Sequence, residues 1–133
     1  MAAKLKGGCQ CGYVRYSINS APYRLNVCYC TDCQRQSGSA FGMSLVIDPH
    51  SLEIETGTVK EFELKADSGR TKLCGFCPEC GVRIYNRTSA ICSVKAGTLD
   101  DTSSLYPDAQ YWTRSRQSWS PLVAEIASFD THE

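Results

Sequence analysis

Apolar and polar positions along this chain alternate in short bursts. Residues 13–18, 43–47, 52–55, 59–64, 82–85 and 91–94 are rich in Val, Ile, Leu, Phe and Tyr, and each run is too short to lay a buried stripe along a helix. In the first run the polar Arg15 and Ser17 fall on the opposite parity from Tyr16 and Ile18, which predicts a half-buried strand with Tyr16 and Ile18 inward. Turn-forming residues punctuate the runs at 19–22, 48–49, 56–57, 67–69 and 96–97. Short strands at this regular spacing predict an all-β fold of antiparallel sheets. Helical character is confined to 31–36, where Thr31 or Asp32 is placed to cap, and to a brief turn over 100–105. With no fixed-period repeat, low-complexity tract or linker, residues 1–133 read as a single domain.

The composition fits that picture and narrows the function. A chain of 133 residues that is 42% hydrophobic can bury one real core. Fourteen basic and fourteen acidic residues give a formal net charge of +0, so no broad field draws the protein to nucleic acid or to an anionic membrane. No run approaches the roughly 20 apolar residues of a membrane span, and the first residues lack the apolar stretch of a secretory signal. The expectation is a cytoplasmic protein that binds no nucleic acid and no membrane. Nine cysteines in a reducing compartment are more readily metal ligands or redox groups than crosslinks, and the odd count leaves one unpaired in any full disulfide scheme.

Seven of the nine cysteines form three clusters: Cys9 and Cys11, then Cys28, Cys30 and Cys33, then Cys77 and Cys80. Positions i and i+2 of an extended chain point to one face, so a Cys-x-Cys on a strand offers both sulfurs to one ion. Zn–S bonds of about 2.3 Å place tetrahedral sulfurs roughly 3.8 Å apart. A Cys-x-x-Cys must instead fold back on itself, and Pro78 and Gly81 supply the backbone angles for that turn. Four thiolates saturate a structural zinc, so Cys9, Cys11, Cys77 and Cys80 make one closed site. Cys28, Cys30 and Cys33 then fill three positions of a second tetrahedron and leave the fourth for water, substrate or another ligand, as in a catalytic zinc site. Two Zn²⁺ per chain are expected. Cys74, a short turn before Cys77, is the candidate for the missing ligand, whereas Cys92 sits between Ile91 and Val94 in a strand-like run and reads as a core thiol.

The residues 8–16 around Cys9-Gln10-Cys11-Gly12, the stretch Cys28-Tyr29-Cys30-Thr31-Asp32-Cys33 continued by Gln34-Arg35-Gln36-Ser37-Gly38-Ser39-Ala40-Phe41, the knuckle Phe76-Cys77-Pro78-Glu79-Cys80-Gly81 and the segment Gly97-Thr98-Leu99-Asp100-Asp101 together resemble the glutathione-dependent formaldehyde-activating enzyme family, also called the centromere protein V family. Residues 112–119, from Trp112 to Trp119, are similar to the closing segment of that family. The resemblance implies an Mss4-like fold (a β-tent) of zinc-clamped antiparallel sheets, with the structural zinc on Cys9, Cys11, Cys77 and Cys80. It implies a second zinc on Cys28, Cys30 and Cys33 with glutathione nearby. The implied activity joins formaldehyde to glutathione as S-hydroxymethylglutathione, a carbon–sulfur lyase in the reverse sense. Tyr29 stands where many members carry His.

Three thiolates on one zinc leave a net charge of about −1 and reduce its Lewis acidity, so activation of water is handicapped while a fourth sulfur is accepted easily. That chemistry favours addition of a thiol to a small aldehyde over hydrolysis. Gly38-Ser39-Ala40 is small enough to leave an approach path, and Arg35 is the nearest basic candidate for the carboxylates of glutathione. His50 and His132 read as exposed and outside any zinc sphere, Asp100-Asp101 as a turn, and Tyr111, Trp112 and Trp119 as core rather than pocket wall. Asn86-Arg87-Thr88 matches a glycosylation acceptor without meaning in a cytosolic chain. Two other readings compete: a zinc-stabilised structural or protein-binding module without catalysis, favoured if Cys74 closes the second site, and methionine sulfoxide reduction, for which Cys92 has no obvious resolving partner except Cys74.

Overall fold

The computed structural model describes residues 4–65 and 69–132. Its strands are β1 (Leu5–Gly8), β2 (Arg15–Ile18), β3 (Arg24–Cys28), β4 (Gly42–Ile47), β5 (Leu52–Thr56), β6 (Lys60–Lys65), β7 (Thr71–Phe76), β8 (Arg83–Arg87), β9 (Cys92–Lys95), β10 (Ala109–Tyr111) and β11 (Ala127–Ser128), with one α-helix, α1 (Thr31–Ser37). All six runs recognised in the hydrophobic pattern are strands: β2, β4, β5, β6, β8 and β9. β1, β3, β7, β10 and β11 lie outside those six runs: β1 ends in Gly7 and Gly8, β7 holds Gly75, β3 alternates over only five residues, β10 and β11 span three and two, and pairing with neighbours completes them. The turn expected over 67–69 falls on a stretch whose residues 66–68 lie outside the described ones.

Two sheets result. A three-stranded sheet has the order β1-β2-β5, and an eight-stranded sheet has the order β11-β10-β3-β4-β9-β8-β7-β6. The expectation of antiparallel sheets needs one correction, because β10 runs parallel to both β3 and β11. A parallel neighbour requires a long crossover, and the chain builds most of the large sheet between β3 and β10 before it returns. Val14, Tyr16 and Ile18 of the small sheet and its approach pack with Leu25, Leu45, Ile47, Ile84, Tyr85 and Val94 of the large one, so the core lies between the two. Ser17 departs from the half-buried pattern. β2 is the middle strand of its sheet, and Tyr16, Ser17 and Ile18 are all buried, which shows that both faces are covered.

Gly75 on β7 shows how closely the core is filled. A Cβ at this position would lie 2.5 Å from Cζ of Tyr85, whose hydroxyl donates to Glu61 Oε2 at 2.7 Å. Gly75→Ala is therefore expected to cost about 1–3 kcal/mol through displacement of the Tyr85 ring. Denaturant unfolding checks this as a lowered midpoint with an unchanged slope.

Candidate metal centre

Cys9 and Cys11 do not lie on an extended strand, as the Cys-x-Cys spacing suggested. They occupy a tight turn after β1, in which Gly12 N–H donates to Cys9 O at 3.3 Å and Cys9 N–H to Val14 O at 3.1 Å. The turn reaches the same end by curvature, with the two Sγ atoms 3.5 Å apart. Cys77 to Cys80 folds back as its residues predict: Gly81 N–H donates to Cys77 O at 2.8 Å, and Gly81 adopts φ 80°, a left-handed angle that favours glycine. Cys11 Sγ lies 3.8 Å from Cys77 Sγ, and the sulfurs of Cys9, Cys11, Cys77 and Cys80 are all within 4.8 Å of one another. These separations match the edges of a ZnS₄ tetrahedron, and the donor set is the one that closed structural zinc sites use. Backbone amides are aimed at the sulfurs, with Val14 N–H 3.3 Å from Cys9 Sγ and Glu79 N–H 3.4 Å from Cys77 Sγ. Burial works to raise the Cys9 thiol, yet the Val14 amide and the neighbouring sulfurs bring it down to about 6. Cys11 goes the other way: against the Tyr13 amide, desolvation and the neighbouring sulfurs push its thiol up to about 12, so thiolate character is shared unevenly over the group.

The second cluster sits where β3 meets α1. Cys28 ends the strand, Cys30 is the N-cap and Cys33 lies in the first helical turn, with the three sulfurs within 4.8 Å of one another. The cap is Cys30, not Thr31 or Asp32. Cys30 is the last extended residue, at φ −62° and ψ 155°, and its Sγ accepts from Cys33 N–H at 3.3 Å. The thiols of Cys28 and Cys33 hold the Cys30 thiol down to about 2, while Cys28 and Cys30 push Cys33 up. One negative charge is shared over three converging sulfurs, an arrangement that a cation completes. Alternation along the extended 28–30 segment sends Tyr29 the other way. Tyr29 is 1% exposed, its hydroxyl donates to Gln110 Oε1 at 3.1 Å, and its ring tilts against Phe41 at 5.8 Å. The residue between the two cysteines therefore anchors the loop to the core.

Cys74 does not supply a fourth ligand. It is buried in β7, where pairing with Phe62 and Asn86 fixes it away from the three sulfurs. Among the described residues the group remains at three. Cys92 is a core thiol packed with Ile84 and Val94, and burial pushes it up to about 12.

Cys30 forms part of the wall of a cleft of about 730 Å³ that also carries Asp32, Arg35, Lys65, Lys72, Trp112 and His132. Arg35 is exposed and also borders an open hollow with Gly38, Ser39, Ala40 and Trp119. Trp119 is 72% exposed, against the expectation of a core aromatic. Trp112 and Tyr111 are half-buried, the first met edge-on by His132 at 5.1 Å and the second stacked on Phe129 at 5.2 Å. His132 is exposed as expected, but its place beside the Cys30 cleft has no signature in the sequence. Main-chain bonds create it: Trp112 N–H donates to Thr131 O and Thr113 N–H to Phe129 O, each at 3.2 Å. His50 is exposed in the 3-10 turn Pro49–Ser51 and joins neither cluster. Asp100 and Asp101 part company: Asp100 takes a bidentate ion pair from Arg15, and Asp101 Oδ1 accepts from Ser103 N–H at 2.9 Å in the expected turn.

Residues 4–115 match the family model described as glutathione-dependent formaldehyde-activating enzyme. The chain belongs to the glutathione-dependent formaldehyde-activating enzyme family. All seven clustered cysteines fall inside the matched residues, whereas Trp119 and His132 fall outside them. In three dimensions the chain is similar to a crystal structure of a protein from Rhodobacter sphaeroides, with a TM-score of 0.58 and 14% identity over 93% of this chain and 98% of that one. No curated protein matches in sequence. The fold is the all-β, Mss4-like one of the family, and at family level the function is glutathione-dependent activation of formaldehyde. The two cysteine groups could each hold a metal ion, and no helix among the described residues is long and apolar enough to cross a membrane.

Proposed function

We propose that this member joins glutathione, or a similar small thiol, to formaldehyde or another small aldehyde, as a zinc-dependent enzyme of the carbon–sulfur lyase type. The observation that carries this reading is that the second cysteine group stays at three, with Cys74 excluded, and that Cys30 forms part of a cleft wall. Cys28, Cys30 and Cys33 would hold the zinc. Bound there, zinc lowers the proton affinity of an incoming thiol and keeps it nucleophilic beside an aldehyde. Arg35, Lys65 and Lys72 offer the cleft cations for a carboxylate of glutathione, and Asp32 offers one acid for its ammonium group. Trp112 and His132, packed edge-on, form one side of the cleft. In the reaction one C–S bond forms, the carbonyl π bond breaks, and the thiol proton passes to the carbonyl oxygen. No electrons are transferred to or from a second reagent.

The test is the rate at which formaldehyde hydrate converts to S-hydroxymethylglutathione, followed by NMR exchange on zinc-loaded protein. The expected result is acceleration above the spontaneous reaction, saturable in glutathione, with Arg35→Ala weakening glutathione about fivefold, as suits an exposed charge pair. Full zinc loading without glutathione binding would instead favour the zinc-stabilised binding module.

A further inference from the structure

A second cavity, of about 530 Å³, lies on the other side of Gln36, which lines both this space and the Cys30 cleft. It is built on the sheet face that bears Cys28. Asn26 pairs with Ser44, and Ser44 with Lys95, so Cys28, Asn26, Ser44 and Lys95 share that face by register, as do Ser93 and its partner Asn86. Helix α1 covers it and drops Gln36 between two neighbours. Gln36 Oε1 accepts from Lys95 Nζ at 2.5 Å and from Asn86 Nδ2 at 3.1 Å, and Asn86 Oδ1 accepts from Arg83 Nη2 at 2.6 Å. Arg83 also lies over the Phe62 ring at 5.1 Å. A continuous arc of side chains, Arg83, Asn86, Gln36 and Lys95, thus ends in a cation at each side, and both cations line the cavity.

The charges in this cavity do not balance. Among the described residues its lining contains no Asp or Glu. The amide oxygens of Gln36 and Asn86 already serve the two cations, and Arg83 Nε is buried without a hydrogen-bond partner. Burial pushes the Lys95 ammonium below its usual range. Three thiolates around a zinc carry about one negative charge, enough to offset one of the two cations and not both. Lys95 and Arg83 are half-buried and bonded to amides, not to acids, so the cavity is suited to an anion.

We infer that this cavity is a carboxylate subsite in which Lys95 and Arg83 together bind one carboxylate of a ligand whose reacting end lies toward the three cysteines. Formaldehyde carries no charge and needs no such cavity. The carboxylate belongs either to the thiol substrate or to an aldehyde that is itself an acid. The subsite rests on the proposed thiol–aldehyde reading for its use, but not for its existence. A guanidinium and an ammonium lining one cavity offer a carboxylate directional, charge-assisted hydrogen bonds, and their amide partners leave both charges uncompensated.

The experiment uses the full zinc-loaded chain with acetate, glyoxylate, glutathione and glutathione amidated at its glycine carboxylate as separate probes. Binding is read by chemical shift, and zinc content is measured on every sample. Acetate and glyoxylate require no thiol chemistry, so they test the subsite even where the thiol–aldehyde reading fails. The expected result is that acetate and glyoxylate bind the wild type and that Lys95→Met and Arg83→Gln each weaken glyoxylate at least tenfold with zinc content unchanged. A tenfold loss for glutathione that is absent for the amidated form assigns the carboxylate to the thiol. A loss confined to glyoxylate assigns it to the aldehyde. Where Lys95→Met loses zinc, Arg83→Gln decides alone. Wild-type affinity for all the carboxylates in Arg83→Gln, or no carboxylate binding to the wild type at millimolar concentration, overturns the subsite.

Discussion

Cys77→Ser abolishes the cooperative unfolding transition of the zinc-loaded protein, and chelation of the four-cysteine group does the same to the wild type. The expectation follows from what the site joins. Cys9 and Cys11 stand at the end of the small sheet, Cys77 and Cys80 between β7 and β8 of the large one, and Cys11 and Cys77 are 66 residues apart in sequence. Apparent binding energies of structural zinc reach about 10–16 kcal/mol, comparable with or larger than the roughly 5–15 kcal/mol that stabilises a whole domain. Cys77 is fully buried in the core cluster and receives amide hydrogen bonds from Glu79 and Cys80, so serine there loses the soft ligand and leaves those amides facing a poorer acceptor. Thermal unfolding followed by circular dichroism, with zinc counted before and after, checks the outcome. A cooperative transition within a few degrees of the wild type would show that the hydrophobic core holds the sheets without the metal.

Cys33→Ser gives the opposite signature: zinc falls from two per chain to one, the thiol–aldehyde reaction falls at least about 100-fold, and the fold persists. Cys28, Cys30 and Cys33 are only half-buried, and none belongs to the hydrophobic core between the sheets. Cys33 is the most informative of the three to replace. Cys30 also caps α1, so its substitution mixes loss of a ligand with loss of a cap, whereas the Cys33 backbone amide that Cys30 receives survives in the serine variant. Zinc stoichiometry, the unfolding midpoint and the condensation rate are measured on the same reduced sample. Retention of both zincs with full activity would remove the three-cysteine group from the mechanism.

The outcome of each substitution depends on how the chain divides information between near and distant residues. The alternating runs that became β2, β4, β5, β6, β8 and β9 were legible because their apolar residues recur with the period of a strand. β1 was not, since Gly7 and Gly8 carry no such period, and β3, although Leu25 and Val27 alternate with Arg24 and Asn26, is a short run that leads straight into the Cys28–Cys33 cluster; partner strands supply the hydrogen bonds of both. Ser17 has the look of a solvent-facing residue until the sheet containing it is seen to be covered on both sides. Trp119 misled in another way, because the sequence carries no mark of which aromatic a returning tail will leave on a surface.

The same division runs through the candidate site. Which sulfurs within a cluster can share an ion was determined by the sequence itself, because one or two intervening residues allow few geometries for Cys-x-Cys and Cys-x-x-Cys. The exclusion of Cys74 was decided by strand register, which places it opposite Phe62 and Asn86 instead of beside Cys28. The company of Lys95 was likewise decided in three dimensions: Arg83, Asn86 and Gln36 come from β8 and α1, and nothing in their order along the chain announces two cations around one acid-free cavity. Local covalent geometry acts over a few residues and can be read from spacing. Charge balance and coordination between distant segments exist only after long-range pairing has brought them together, so only the tertiary structure decides them.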